Sequence, residues 1–317
     1  MESSAIEVSG LRKAYGGRAV LGGIDLTVPP GTVFSLLGPN GAGKTTTVNI
    51  LTTLLRADAG TVRVAGHDVV TGTRQVRAAI GVTGQFAAVD ELLTGRENLR
   101  MMADLGRVRG SGKLVARLLE RFDLVEPADA LVSTYSGGMR RKLDLAMTLV
   151  GAPRIIFLDE PTTGLDPRSR RTVHDIVREL VAEGTTVFLT TQYLEEADEL
   201  SDRIAVLNGG TVAAQGSADE LKRLIPGGHV RLRFTDPAAY RSAAAALREA
   251  TADDAELALR IPSDGSQREL RSLLDWLDSV GVEADGVTVH TPDLDDVFLI
   301  LTEQTERTGR AKEAIEP

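Results

Sequence analysis

Gly38-Pro39-Asn40-Gly41-Ala42-Gly43-Lys44-Thr45 decides how this chain is read. The eight residues fit G-x-x-x-x-G-K-[ST], with the apolar run Val33-Phe34-Ser35-Leu36-Leu37 before them and a helical stretch over 44–54 after them. That is the strand–loop–helix setting in which the pattern has a mechanism. Glycines let backbone N–H groups turn inward, and the helix N-terminus adds the positive end of its dipole, so the loop cradles phosphate oxygens. Lys44 is spaced to reach the β and γ phosphates of a nucleotide and the Thr45 hydroxyl to meet the Mg²⁺ that accompanies them, while Thr46 is expected to contact the nucleotide.

Working outward, short β-branched runs alternate with helical stretches as far as residue 225, which predicts an α/β layer arrangement. Strands are expected at 33–37, 61–66, 80–84, 155–159, 186–191 and 203–207, several of them apolar throughout, as parallel strands covered on both faces are. Helices are expected at 44–54, 113–122, 139–150 and 169–182. The run Ile155-Ile156-Phe157-Leu158-Asp159-Glu160 is a buried strand that delivers two adjacent carboxylates to the crevice where open α/β sheets bind ligands. Neighbouring strand residues point to opposite sides, so the two acids can divide the work: Asp159 towards Mg²⁺ through its water shell, Glu160 as general base for the attacking water.

Tyr135-Ser136-Gly137-Gly138-Met139 opens the helix preceding that strand. Ser136 and the N–H groups of Gly137 and Gly138 make a second anion site at a helix N-terminus. With the three elements in this order the chain resembles an ABC ATPase, whose signature is usually written L-S-G-G-Q. The fold implied is an ABC-type P-loop NTPase, a mixed sheet with a helical subdomain and an antiparallel β subdomain. The resemblance implies that Ser136 clamps the γ-phosphate of ATP held on the phosphate loop of a second copy, giving a head-to-tail dimer with two MgATP. By the same likeness Tyr15 stacks on adenine, Gln85 ligates Mg²⁺ and touches the transport partner, and Asp166 contacts the other subunit.

Most ABC ATPases carry a histidine after the strand that follows the Asp166 loop; here Thr190-Thr191-Gln192-Tyr193 places Gln192 there. Its amide can donate a hydrogen bond to a phosphate but cannot take a proton. That string, with Leu294-Asp295-Asp296-Val297-Phe298, resembles one branch, the ATP-binding subunits of daunorubicin/doxorubicin-resistance-type transporters. The likeness implies a separately encoded integral-membrane permease as partner, a peripheral place on the cytoplasmic side of the membrane, residues 86–105 as coupling surface, and efflux of a drug or other hydrophobic compound. A soluble ATP-gated switch or binding module with little hydrolysis is the alternative reading.

The rest of the chain bounds this reading. Cysteines number 0, which excludes disulfides, thiolate-bound zinc and a cysteine nucleophile. Nowhere do 18 or more apolar residues run together as a membrane span requires, and the N-terminal residues do not read as a signal peptide. The net charge of −9 lies almost wholly after residue 225, where 10 Lys and Arg face 18 Asp and Glu. An acidic half argues against nucleic acid or anionic lipid as ligand. The breakers Ile225-Pro226-Gly227-Gly228 mark an expected boundary, with a nucleotide-binding domain at 1–225, a small α/β or α+β domain at 226–305 and a polar tail at 306–317. In the second domain strands are expected at 230–234, 257–261 and 286–290, and helices at 237–250, 266–279 and 294–304. The stretch 293–301 reads equally as a core helix of that domain or as a regulatory or dimer contact. The four histidines, His67, His174, His229 and His290, have no metal-site spacing and are expected at the surface.

Overall fold

The structure, a computed structural model, describes residues 4–85, 87–224, 228–247, 249–263, 265–290 and 293–301. The expected boundary at Ile225-Pro226-Gly227, residue Phe86 of the expected coupling surface, positions 302–304 of the expected last helix and the tail at 306–317 lie outside these. The chain divides into a first unit up to Ala218 and a second, Asp219–Ile300.

In the first unit an antiparallel hairpin, β1 (Ile6–Tyr15) and β2 (Arg18–Val28), leads to β3 (Val33–Leu37), α1 (Lys44–Leu51), β4 (Ala59–Val64), β5 (His67–Asp68), α2 (Thr73–Ala79) and β6 (Ile80–Thr83). Then come α3 (Gly95–Leu105), α4 (Ser111–Arg121), α5 (Gly137–Thr148), β7 (Ile155–Asp159), α6 (Pro167–Ala182), β8 (Thr186–Thr191), α7 (Leu194–Leu200), β9 (Arg203–Asn208) and β10 (Thr211–Gly216). The central sheet has the order β10-β9-β3-β8-β7-β6, parallel except for β10. Every residue of β3, β7 and β8 is buried, the condition for strands covered on both faces. Phe34, Phe188 and Phe157 stand in register across these three strands, with successive ring centroids 5.5 Å apart. They pack with Ile24, Leu26, Val48 and Ile50 into one core, while Val33, Leu158, Val187 and Leu189 turn to the other, filled by Leu99, Phe122, Leu143 and Leu180.

A second, antiparallel sheet has the order β2-β1-β4-β5. Residues 6–15 and 18–28 carry no strand in the sequence reading, and 61–66, expected within the layer arrangement, belongs as β4 to this antiparallel sheet. Register shifts between Val8 and Leu11 and between Lys13 and Ala14 break the two-residue alternation that would reveal β1. Helix starts differ for a local reason. Helix α5 begins two residues before the expected 139 because the Ser136 side chain caps it, and α6 begins at Pro167 because Asp166 caps it and proline suits the first helical position. His174, expected at the surface, is 4% exposed on the inner face of α6, with Nε2 3.4 Å from Glu196 Oε1 and Nδ1 3.4 Å from Glu199 Oε2. Among the described residues no helix is long and apolar enough to cross a membrane.

The short α8 (Ala218–Lys222) spans the division. The second unit continues with β11 (His229–Arg233), α9 (Pro237–Ala246), β12 (Thr251–Asp253), β13 (Ala258–Pro262), α10 (Gln267–Ser279) and β14 (Gly286–His290), and residues 294–301 are helical. Its sheet is antiparallel, β12-β13-β11-β14, over a core of Val230, Leu232, Phe234, Tyr240, Leu259 and Leu277. The helix expected to run to 250 stops at Ala246, and 251–253 form the edge strand β12. Within 294–301, Leu294 and Val297 are buried, while Leu299 and Ile300 are exposed.

The central phenylalanine row is the element most sensitive to truncation. Phe188→Ala is expected to lower unfolding free energy by about 3–5 kcal/mol, whereas the exposed Leu54→Ala changes it by less than ~0.5 kcal/mol. Urea denaturation of the two variants against the parent checks the contrast.

Candidate functional site

The site is assembled where β3, β8 and β7 end side by side. The loop from β3 to α1 packs so closely that a Cβ at Gly38 would run into the Leu207 carbonyl, and one at Gly43 into the Leu21 side chain. Gly43 also has φ 108°, which an L-side chain rarely adopts. Lys44, the first residue of α1, is 4% exposed. Its Nζ donates to the carbonyls of Gly38 at 2.8 Å and Pro39 at 3.1 Å and forms an ion pair with Glu160 Oε1 at 3.2 Å.

The second oxygen of Glu160 accepts from Gln85 Nε2 at 3.3 Å and from Thr163 Oγ1 at 3.4 Å. Glu160 has φ 49°, a left-handed backbone costing a non-glycine residue on the order of 1 kcal/mol. What holds it there is Thr190: its carbonyl and its hydroxyl each accept from the Glu160 N–H at 3.1 Å, and the same hydroxyl donates to Asp159 Oδ1 at 2.5 Å. Thr190, paired with Asp159 in the parallel register, appears in the sequence only as part of the string before Gln192, with no role of its own. The signal it leaves is a pair of threonines, Thr190 and Thr191, at the C-terminal end of a buried strand.

A cavity of about 580 Å³ opens over these groups. Tyr15, Asn40, Gly41, Gly43, Lys44, Thr45, Thr46, Gln85 and Glu160, all singled out in the sequence, line it. So do Arg18, Ala19, Val20, Gly209 and Gly210, which the sequence reading missed; they come from β2 and from the tight turn joining β9 to β10. Tyr15 is 48% exposed, with the Lys13 ammonium 5.6 Å from its ring centroid and Lys13 itself anchored on Asp58 at 2.7 Å. Ala42 is buried within the loop.

Ser136, Gly137, Gly138, Asp166 and Gln192 do not line this cavity. Ser136 is exposed, and its Oγ accepts from Met139 N at 3.3 Å. Gly138 lies so close to Ser169 that a Cβ would collide with its hydroxyl, so α5 and α6 start against one another. Asp166 takes the backbone N–H groups of Arg168 and Ser169 at 3.0 Å and the Ser169 hydroxyl at 2.6 Å. That hydroxyl, followed by the backbone donors, holds its carboxyl below the usual range. Gln192 follows β8 directly and is half-buried.

Comparison with known proteins matches residues 21–163 to the ABC transporter family model. The chain is 48% identical to the daunorubicin resistance ATP-binding protein DrrA3 of Streptomyces coeruleorubidus, over 98% of this chain and 100% of that one. It is 40% identical to the Nod factor export ATP-binding protein I of Paraburkholderia xenovorans, over 95% of this chain and 98% of that one. Among solved structures, the ATP-binding subunit of an ABC transporter superposes with a TM-score of 0.64 at 27% identity, covering 70% of this chain and 93% of that one. The dimeric post-hydrolysis state of an ATP-binding cassette bound to ADP and Pi gives 0.61 at 25% identity, covering 67% and 98%. The phosphate loop, the paired acids and the match along nearly the whole chain lead to one conclusion: this is a member of the ABC transporter family, an ATP-binding subunit of the daunorubicin/doxorubicin-resistance type whose cassette is an ABC ATPase.

Proposed function

We propose that two copies of the chain close head to tail around two MgATP, each docked at the cytoplasmic face of the membrane on a separately encoded permease. Hydrolysis then powers export of a drug or other hydrophobic compound. The observation that carries the dimer is the separation of the two anion sites: Lys44 and Glu160 share one cavity, while the N-terminus of α5 with Ser136 is exposed and outside it. A triphosphate on the loop therefore has its second clamp only on another copy. The dimeric ADP-bound neighbour supports this arrangement, and the resistance and export named for the relatives support the direction of transport.

In this reading the Lys44 ammonium exchanges its Glu160 partner for phosphate oxygens. Glu160 is thereby freed to take a proton from the attacking water. Thr45, Gln85 and Asp159 offer hard oxygen donors from three different segments, the first two lining the cavity and Asp159 buried next to Glu160. That composition fits Mg²⁺, which takes one or two protein oxygens and completes its shell with phosphate and water. Bound there, the ion neutralises charge on the phosphates. Tyr15 offers an open ring face to adenine, Asn40, Gly41 and Thr46 surround the phosphates, and Gln192 offers its amide from the end of β8. Asp166, already capping α6, presents its loop to the second copy. The permease contact falls after Gln85, where Leu92 is 84% exposed and Leu105 73%.

Glu160→Gln is expected to bind ATP, accumulate as an ATP-bound dimer in size-exclusion chromatography and lower phosphate release by about 10²–10⁴-fold. Undiminished turnover would remove Glu160 from its role. Lys44→Ala takes away a charge-assisted contact of about 1.5–3 kcal/mol, so nucleotide affinity should fall roughly 10–100-fold in direct titration. With Leu92→Glu, recovery of the subunit with the membrane fraction of expressing cells is expected to drop, and full recovery would place the coupling surface elsewhere.

A further inference from the structure

Helix α5 carries, one turn beyond Ser136, a buried ion pair that the mechanism above does not use. Arg141 is 5% exposed and Asp144 3%, and Arg141 Nη1 lies 3.2 Å from Asp144 Oδ2. Each partner also holds the loop that carries Gln85. Arg141 Nη1 donates to the Gly84 carbonyl at 2.8 Å, and Asp144 Oδ1 accepts from the Ala88 N–H at 3.1 Å. The two backbone bonds grip the loop on either side of Gln85, whose side chain in turn donates to Glu160.

Such a pair is a poor device for stability. Burial pulls the Arg141 guanidinium below its ordinary range, against the opposing pull of Asp144, Glu196 and Asp159, and burial pushes the Asp144 carboxyl up against the pull of Arg141. A desolvated ion pair is often no better than apolar side chains of the same volume. Arg141 Nε and Nη2 are moreover buried without a hydrogen-bond partner among the described residues. What apolar side chains cannot do is bond to Gly84 and Ala88. The pair therefore earns its place by fixing a loop rather than by filling a core.

We propose that Arg141 and Asp144 are positioning residues that lock the Gln85 loop to the helix bearing Ser136, so that seating Ser136 on the second copy's nucleotide sets Gln85 and Glu160 in the chain's own cavity. The proposal rests on the dimer reading above and links the two hydrolysis sites through α5.

The test compares Arg141→Gln with the double variant Arg141→Met/Asp144→Leu, in which the pair becomes apolar. Thermal unfolding, KM and kcat for ATP hydrolysis, its Hill coefficient, and hydrogen exchange of the peptide covering 84–88 are measured. The double variant is expected to melt close to the parent with KM within about threefold. Its kcat should fall about 10²-fold, the effect of a misplaced catalytic group, its Hill coefficient should move to about 1, and exchange at 84–88 should rise. If the double variant recovers both melting temperature and kcat, the pair serves structure only and the proposal fails. Should it not fold, Arg141→Gln decides alone: unchanged kcat with unchanged exchange at 84–88 overturns the lock, and lowered kcat with faster exchange supports it. A parent that binds ATP but never turns it over refutes the hydrolysis reading; exchange at 84–88, which needs no nucleotide, then still decides whether the lock exists.

Discussion

The arrangement depends on a buried ammonium. Lys44 sits at the mouth of α1 with almost no access to water, and a charge so placed must be matched nearby. Two loop carbonyls and the Glu160 carboxylate supply the match. They can do so only because β3 and β7 flank β8 in one parallel sheet, whose flush C-terminal ends bring the phosphate loop and the paired acids within a hydrogen bond of each other. Everything beneath, from the phenylalanine row to the helices on the opposite face, keeps those strand ends level.

From that constraint the electrostatic logic follows. In the proposed function, oxygens of a phosphate chain would replace a carboxylate on the same cation, so ligand binding and release of the base would be one exchange rather than two events. The low dielectric of the surroundings makes the exchange steep, because a cation that loses one anion there must gain another. Residues that never touch the cavity share in this, Thr190 by fixing both acids and the α5 ion pair by fixing the loop of Gln85.

Much of this was legible in the sequence, and the reasons differ by element. The phosphate loop is readable because the glycine positions answer steric demands that no other residue meets. Strands β3, β7 and β8 are readable because burial on both faces writes itself as a short run without alternation, apolar but for Ser35 in β3, Asp159 in β7 and the threonines of β8. The β1–β2–β4 sheet was hidden by its register shifts, and its place outside the parallel layer is a matter of pairing that a single strand cannot express. Thr190, Arg141, Asp144 and His174 were missed for a shared reason: a polar residue in a strand or amphipathic helix reads as a solvated position unless its partners, distant in sequence, are known. Ser136 reads as an anion site that, by resemblance, serves a second copy, and its place outside the lining of its own cavity agrees with that expectation.

The left-handed backbone at Glu160 gives the carboxylate a fixed aim. Its direction is set jointly by a main-chain torsion tied to Thr190 of the neighbouring strand and by the contacts of the carboxylate with Lys44, Gln85 and Thr163. Aspartate in place of Glu160 is one methylene shorter and, on the same backbone, draws its carboxylate back from Lys44, Gln85 and Thr163. Thr190 holds the Glu160 N–H and the Asp159 carboxylate at once, so the placement of both acids is tied to a single residue of β8.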